Sequence, residues 1–240
     1  MSIAPDIQHR LRDDIIAGAL PFGSRLRIDE LAHRYGVSHM PVREALRELH
    51  GEGLVVIERN RGARVRSIHL GFVEDLFDVR SAIETMLARR ACERRSKSHV
   101  AELIAAEEEL ESYVAAKNYA SVPRANRRFH GVINEAAGNP GALSLVDRHW
   151  LLVAALWQRY GLDAERFHGV IDDHRHMIRA IDRGDAASAS MLMGAHIEKA
   201  KHGLIERMAS DLAKTNAAKA DHDNESRGQR GRHSRRVAEL

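Results

Sequence analysis

Short apolar stripes separated by glycine-bearing breaks run from the first residues of the chain. Ile7, Leu11 and Ile15 recur at helical spacing, and the pattern ends near Gly18. The loop Leu20-Pro21-Phe22-Gly23-Ser24 follows. A second helix is predicted from about Ile28 to Tyr35, closed by Gly36, since glycine tolerates the left-handed backbone that ends helices. Ser38 is a good N-cap for a third helix, and Pro41 falls in its first turn, where a missing N–H costs little. Val42, Ala45, Leu46 and Leu49 then follow i, i+3, i+4, i+7 and define a buried face. Leu54-Val55-Val56-Ile57 and Ala63-Arg64-Val65-Arg66 read as two strands around the turn Arg59-Asn60-Arg61-Gly62.

Beyond Leu70 the period is helical throughout. Six segments are predicted, at about 70–96, 98–117, 119–137, 140–160, 163–183 and 185–209. Breaks fall at Gly138-Asn139-Pro140, at Gly161 and at Gly184-Asp185, and no internal repeat is visible. From residue 211 large apolar side chains all but vanish, so this stretch has too little to bury and is expected to be a solvated, disordered polar tail. The expected organisation is therefore a head at 1–68, an all-helical bundle at 69–210 and a tail at 211–240. Composition agrees with a mainly α protein: 44% hydrophobic residues suffice for a core, while 5% aromatics and five prolines do not favour sheets. No apolar run approaches the roughly 20 residues of a membrane span, and the N-terminus lacks the apolar region of a signal peptide. A single cysteine, Cys92, excludes an intramolecular disulfide and fits a reducing compartment. A cytoplasmic location without membrane association is expected.

Charge changes this picture only locally. Residues 1–68 hold 11 Lys/Arg against 9 Asp/Glu, a net of +2, and the whole chain carries +3. Bulk basicity therefore does not argue for nucleic acid; geometry must. The third helix places His39, Arg43, Arg47 and His50 largely opposite its buried face. Taken alone, that stripe is an ordinary solvated face whose repulsion Glu44 and Glu48 partly offset. Its setting adds meaning. Gly36-Val37-Ser38 supplies the tight turn of a helix-turn-helix, and the hairpin with Arg59, Arg61, Arg64 and Arg66 around Gly62 supplies a wing. Arginine suits both, because its planar fork holds phosphate or guanine bidentately.

The run IIAGALPFGSRLRIDELAHRYGVSHMPVREALRELHGEGLVVIERNRGARVRSI resembles the winged helix-turn-helix of GntR-type bacterial transcription regulators. The likeness rests on Leu20-Pro21-x-Gly23-x-x-Leu26, Glu30-Leu31-Ala32, Gly36-Val37-Ser38, Pro41-Val42-Arg43-Glu44-Ala45-Leu46, Gly53-Leu54 and Arg61-Gly62. It implies three helices with a two-stranded wing, and DNA contact through Ser38, His39, Met40, Pro41, Arg43, Arg47, Arg61 and Gly62. One departure stands out: the family usually has arginine directly after the serine of the turn, where this chain has His39.

In the second half the histidines are the anomaly. In IDDHRHMIRAI, two residues apart on a helix means about 200° of rotation. His174 therefore falls on the apolar stripe with Phe167, Ile171, Met177, Ile178 and Ile181, while His176 falls outside it. His196 lies on the stripe Ala189, Leu192, Met193, Ala200 and Leu204. Asn126 and His130 share one face, flanked by Phe129 and Ile133. One such histidine is ordinarily a satisfied core residue. Three on separate helices each need a buried partner, at about 1–3 kcal/mol if unsatisfied. One divalent cation at the bundle centre would serve them all, as imidazole binds zinc and nickel and helix bundles build sites this way.

Residues 70–209 resemble the FCD effector domain of the FadR-like branch of the same regulators. The matching segments are Leu76-Phe77-Asp78-Val79-Arg80-x-x-x-Glu84, Phe129-His130-x-x-Ile133, Ala137-Gly138-Asn139 and Asp173-His174-Arg175-x-Met177-Ile178-x-Ala180-Ile181-x-x-Gly184-Asp185, with the late His196. The resemblance implies a divalent metal, zinc or nickel, held at Asn126, His130, His174 and His196, with Asn126 standing where the family has an aspartate. It also implies a small carboxylate effector. Arg80 is the candidate to face that effector, with a salt bridge to Glu84 at i+4 as its equal alternative. Trp157 and Tyr160 are candidate lining residues or plain core. The expected function is a ligand-responsive repressor that binds operator DNA as a homodimer, not an enzyme. The alternatives are a metal-responsive regulator and, further off, a metal-dependent hydrolase or lyase, for which no His-Glu-x-x-His arrangement appears.

Overall fold

The computed structural model describes the backbone of residues 3–59, 61–161 and 164–237, and the side chains of residues 6–59, 61–161 and 166–214. Asn60, at the tip of the expected wing turn, lies outside the described residues. The head begins with α1 (Ile3–Ile16), β1 (Arg25–Leu26), α2 (Ile28–Tyr35) and α3 (His39–Gly51), followed by β2 (Val55–Glu58) and β3 (Gly62–Val65). α2 stops where expected. Gly36 adopts φ 67°, ψ 37°, and its N–H returns to the carbonyls of Ala32 and His33, so the chain turns sharply into α3. Ser38 occupies the N-cap position in extended conformation, yet its side chain makes no capping bond.

The sheet has three strands, not the two expected, in the order β1-β3-β2. Arg25 and Leu26 pair antiparallel with Arg64 and Ala63, while β2 pairs with β3 from Val55↔Val65 to Glu58↔Gly62. A two-residue strand shows no alternation for a sequence pattern to reveal, and its partner lies far along the chain. Leu26, Leu31, Val42, Leu46, Leu49, Val55 and Val65 are all buried, so the sheet and the inner faces of α2 and α3 share one core.

Six helices follow: α4 (Leu70–Glu93), α5 (Lys97–Ala115), α6 (Val122–Ala136), α7 (Pro140–Tyr160), α8 (Ala164–Arg183) and α9 (Ala186–Val237). Local chemistry sets several starts. The His69 ring accepts from the Phe72 N–H at 3.0 Å, Ser96 Oγ from His99 at 3.2 Å and Asn139 Oδ1 from Ala142 at 3.2 Å, with Pro140 as first residue of its helix. The backbone of α9 continues past residue 210, where the bundle was expected to end. Most of the expected tail, residues 215–240, falls among side chains outside the described set. Among the described residues, no helix is long and apolar enough to cross a membrane.

A candidate metal and effector centre

Three helices bring the expected histidines together. His130 (α6), His174 (α8) and His196 (α9) are 1%, 0% and 5% exposed, and one ligand atom from each lies within 4.8 Å of the others. His130 Nε2 and His196 Nε2 face each other at 3.3 Å. The ring of Phe129 stacks on His174 with centroids 3.8 Å apart, and the edge of Trp150 meets His130 at 5.2 Å, which holds both imidazoles in place.

Each imidazole has its far nitrogen occupied by a carboxylate from another helix turn. His130 Nδ1 meets Glu84 Oε2 at 2.8 Å, His174 Nδ1 meets Glu107 Oε2 at 2.6 Å and His196 Nδ1 meets Asp173 Oδ2 at 3.2 Å. This arrangement fixes the tautomer and turns three Nε2 atoms toward one point. Sequence reasoning missed Glu107, and placed Glu84 only as a partner of Arg80. Glu107 interrupts an otherwise apolar stripe, Leu103-Ala106-Glu107-Leu110-Val114, and Glu84 shares a buried face with Phe77, Arg80 and Leu87, which is the signal that could have found them.

Burial dominates the electrostatics. It lowers His174 well below the ordinary 6.5, with the neighbouring histidines adding to the effect, and lowers His196 to about 4 against the opposing bond from Asp173. Both rings are therefore neutral near pH 7, as metal ligation requires. Burial, then the charge of Glu111, pushes Glu107 up to about 8. Burial also opposes ionisation of Glu84, but Arg80 and His130 overcome it and hold this carboxyl at about 2.

Asn126 lies one turn before His130 on α6, 6% exposed. Its Oδ1 and the Nε2 of His174 are buried without a hydrogen-bond partner. Two orphaned electron-pair donors beside two more imidazole nitrogens fit a divalent cation, and the nitrogen-rich set suits zinc or nickel. Asn126, His130, His174 and His196 are the residues that would hold it.

The candidate effector residues disperse. Arg80 Nε donates to Glu84 Oε1 at 2.8 Å, with the pair 2% and 0% exposed, and its guanidinium lies 4.4 Å from the Trp150 ring centroid. The salt-bridge alternative is thus the geometry found. Trp157 lines a cavity beside Asn126 and His196. Tyr160 instead borders a crevice of about 580 Å³ with Ile15, Gly18, Pro21 and Phe22, where α7 meets the head.

In the head, Ser38, His39, Met40, Arg43 and Arg47 are exposed along α3 and its cap, Pro41 is half-buried, and Arg61 and Gly62 are exposed at the wing. His39 Nε2 lies 3.1 Å from Asp29 Oδ1. Among the described residues Arg43, Arg47, Arg59 and Arg61 have no ion pair, so their guanidinium groups are available to an external anion. Arg66 is committed elsewhere: it donates to the Gly53 carbonyl and lies over the Phe72 ring.

The comparisons agree with this arrangement. The bacterial regulatory proteins of the gntR family match residues 4–65, and the FCD domain matches residues 75–199. The HTH-type transcriptional repressor GlaR of Escherichia coli is 30% identical over 195 residues, covering 78% of this chain and 89% of that protein. The Uxu operon regulator of Haemophilus influenzae is 27% identical over 221 residues, covering 82% and 79%. The solved structure of E. coli McbR/YncC shares the fold, with a TM-score of 0.72 at 19% identity over 87% of this chain and 99% of that one. A winged head, an FCD bundle and a relative of this identity across nearly its whole length place the chain in the GntR family of bacterial transcription regulators, with an FCD domain behind its DNA-binding head.

Proposed function

We propose that this regulator is a repressor whose homodimer grips operator DNA through two winged heads and releases it when a small carboxylate enters a metal-containing centre of the FCD domain. The observation that carries the reading is the convergence of three buried imidazoles on one point, each backed by an acidic side chain, with Asn126 Oδ1 and His174 Nε2 unpartnered beside them. Such a set costs stability unless something binds there. When bound, a divalent cation would supply a Lewis-acidic anchor for a carboxylate oxygen. The neutral amide of Asn126, where the resemblance leads to an aspartate, leaves that centre one negative charge poorer and so more attractive to an anion.

At the other end, Ser38, His39, Met40, Pro41, Arg43 and Arg47 present α3 to the major groove, and Arg61 and Gly62 carry the wing to the backbone. Repression is the role named for GlaR. The proposed division is a head at 1–68 and an effector bundle at 69–210, and the gap between the matched segments 4–65 and 75–199 supports its first boundary. A cytoplasmic protein without membrane contact follows from the same reading.

Electrophoretic mobility shifts on the promoter DNA beside the gene test this, with zinc and a carboxylate panel. Arg43→Ala is expected to cost at least tenfold in operator affinity at fixed salt; wild-type affinity would remove α3 from the interface. His174→Ala is expected to keep DNA affinity and lose both zinc and carboxylate response. A variant that lost zinc yet still responded to carboxylate would separate the metal from effector binding, against the reading. Zinc alone releasing DNA would favour a metal-responsive regulator instead.

A further inference from the structure

The cavity beside the histidine cluster holds a second mismatch. It measures about 20 Å³, and Asn126, Trp157, Arg166, Phe167 and His196 are among its walls. Trp157 is 9% exposed, and its indole Nε1 is buried with no acceptor. Arg166, near the start of α8, is half-buried, and its one polar contact among the described residues is Nη1 to the Ala200 carbonyl at 3.4 Å, the long edge of a hydrogen bond. Among the described residues no carboxylate is hydrogen-bonded to it. Asp173, the acid on the same helix whose charge acts on Arg166, has its oxygens taken by His196 and by Lys199 Nζ at 2.6 Å. Arg80, by contrast, already has Glu84.

Room for this arginine is built into α9. A Cβ placed on Gly203 would lie 2.5 Å from Arg166 Nη1, so any other residue there would push the guanidinium aside. Glycine in a helix interior costs roughly 0.5–1 kcal/mol relative to alanine, a cost that here preserves the position of a cation. Burial, then the charge of Arg207, lowers the pKa of Arg166, and the charge of Asp173 only partly opposes this. A half-buried guanidinium with no hydrogen-bonded carboxylate among the described residues, beside an orphan N–H donor, is a site that lacks an anion.

We propose that Arg166 and Trp157 form the carboxylate-binding subsite of this centre, with Gly203 as the cradle that positions Arg166. The assignment rests on the effector reading above and moves the recognition arginine from α4 to α8. Two N–H groups of the guanidinium and the indole N–H supply three donors to one carboxylate, while the histidine side holds the rest of the ligand. A cavity of this size holds about one water. A carboxylate must therefore spread α8 from α6 and α9, and the ligand binds the opened arrangement better than the closed one, the differential affinity that a switch requires.

Calorimetric titration of the full-length, zinc-loaded protein with acetate, lactate and gluconate, and with acetamide, lactamide and gluconamide, tests the proposal. The wild type is expected to bind at least one carboxylate at least tenfold tighter than its amide. Arg166→Gln and Gly203→Ala are each expected to weaken that carboxylate at least tenfold with zinc affinity unchanged, and Trp157→Phe severalfold. Wild-type carboxylate affinity in Arg166→Gln overturns the subsite while leaving the effector reading intact. Parallel loss of zinc and carboxylate in Arg166→Gln makes the residue structural and also overturns it. No carboxylate binding by the wild type removes the effector reading itself, and the subsite with it.

Discussion

A buried imidazole is set by what holds its other nitrogen. In each of the three histidines that group is a carboxylate, and the three acids differ in charge state because their surroundings differ. Glu84 has Arg80 and stays ionised, whereas Glu107 has no cation at bonding distance and burial pushes it up to about 8. The pH consequence has a definite sign. Glu107 has a folded pKa above its ordinary 4.5, so its contribution is complete below that value and is lost as pH rises through about 8. His196 has a folded pKa of about 4 against 6.5, so its contribution is present above 6.5 and lost as pH falls through about 4. Above about pH 6.5 only the Glu107 slope of this pair remains. In the metal-free protein, Glu107→Gln is expected to flatten the decline in urea midpoint between pH 6.5 and 8.5; equal slopes for variant and wild type would refute the assignment. At this scale the sequence showed the imidazoles and Asn126, because each interrupts an apolar stripe. It did not show their carboxylate partners as such, nor Arg166, since a long basic side chain at a helix start looks like any solvated one until the opposing helix is known.

Elements were legible where their signals are local. The predicted helix beginning at residue 70 ends three residues early, at Glu93, and the one predicted at 119–137 runs from Val122 to Ala136. His69 caps the first of these and Ser96 starts the helix after it, while Pro123 and Gly138 bracket the second. β1 was not legible, because it exists only by pairing with β3. Ser38 shows how a correct position can hide a different role. As an ordinary N-cap its side chain would contribute about 1 kcal/mol, but it makes no capping bond and is exposed. Ser38→Ala is therefore expected to change folding stability by less than about 0.5 kcal/mol in chemical denaturation, as surface sites usually do. The same variant is expected to weaken operator binding severalfold, because Ser38 sits at the α3 end proposed to face DNA. A stability loss near 1 kcal/mol with unaltered DNA affinity would restore the capping role instead.

For the whole molecule the question is how a ligand in the bundle reaches the head. α7 spans the two: Trp150 and Trp157 border the histidine cluster and its cavity, and Tyr160, one turn on, lies against the end of α1. The proposed spreading of α8 would relieve the packing on Trp157, and any tilt of α7 would be felt where the head is seated. No sequence period encodes that seat, since it joins residues about 140 positions apart. Whether two heads act together can be read from salt. Binding releases condensed counterions, and the slope of log affinity against log salt is about −0.9 per phosphate neutralised on duplex DNA. Arg61, exposed and without an ion pair among the described residues, is the wing residue best placed for one such contact. Arg61→Ala removes it from every bound head, so the slope is expected to become shallower by about 1.8 if a dimer binds and by about 0.9 if a single head does. Fluorescence anisotropy on the operator from 50 to 300 mM salt distinguishes the two, and an unchanged slope would take the wing off the backbone.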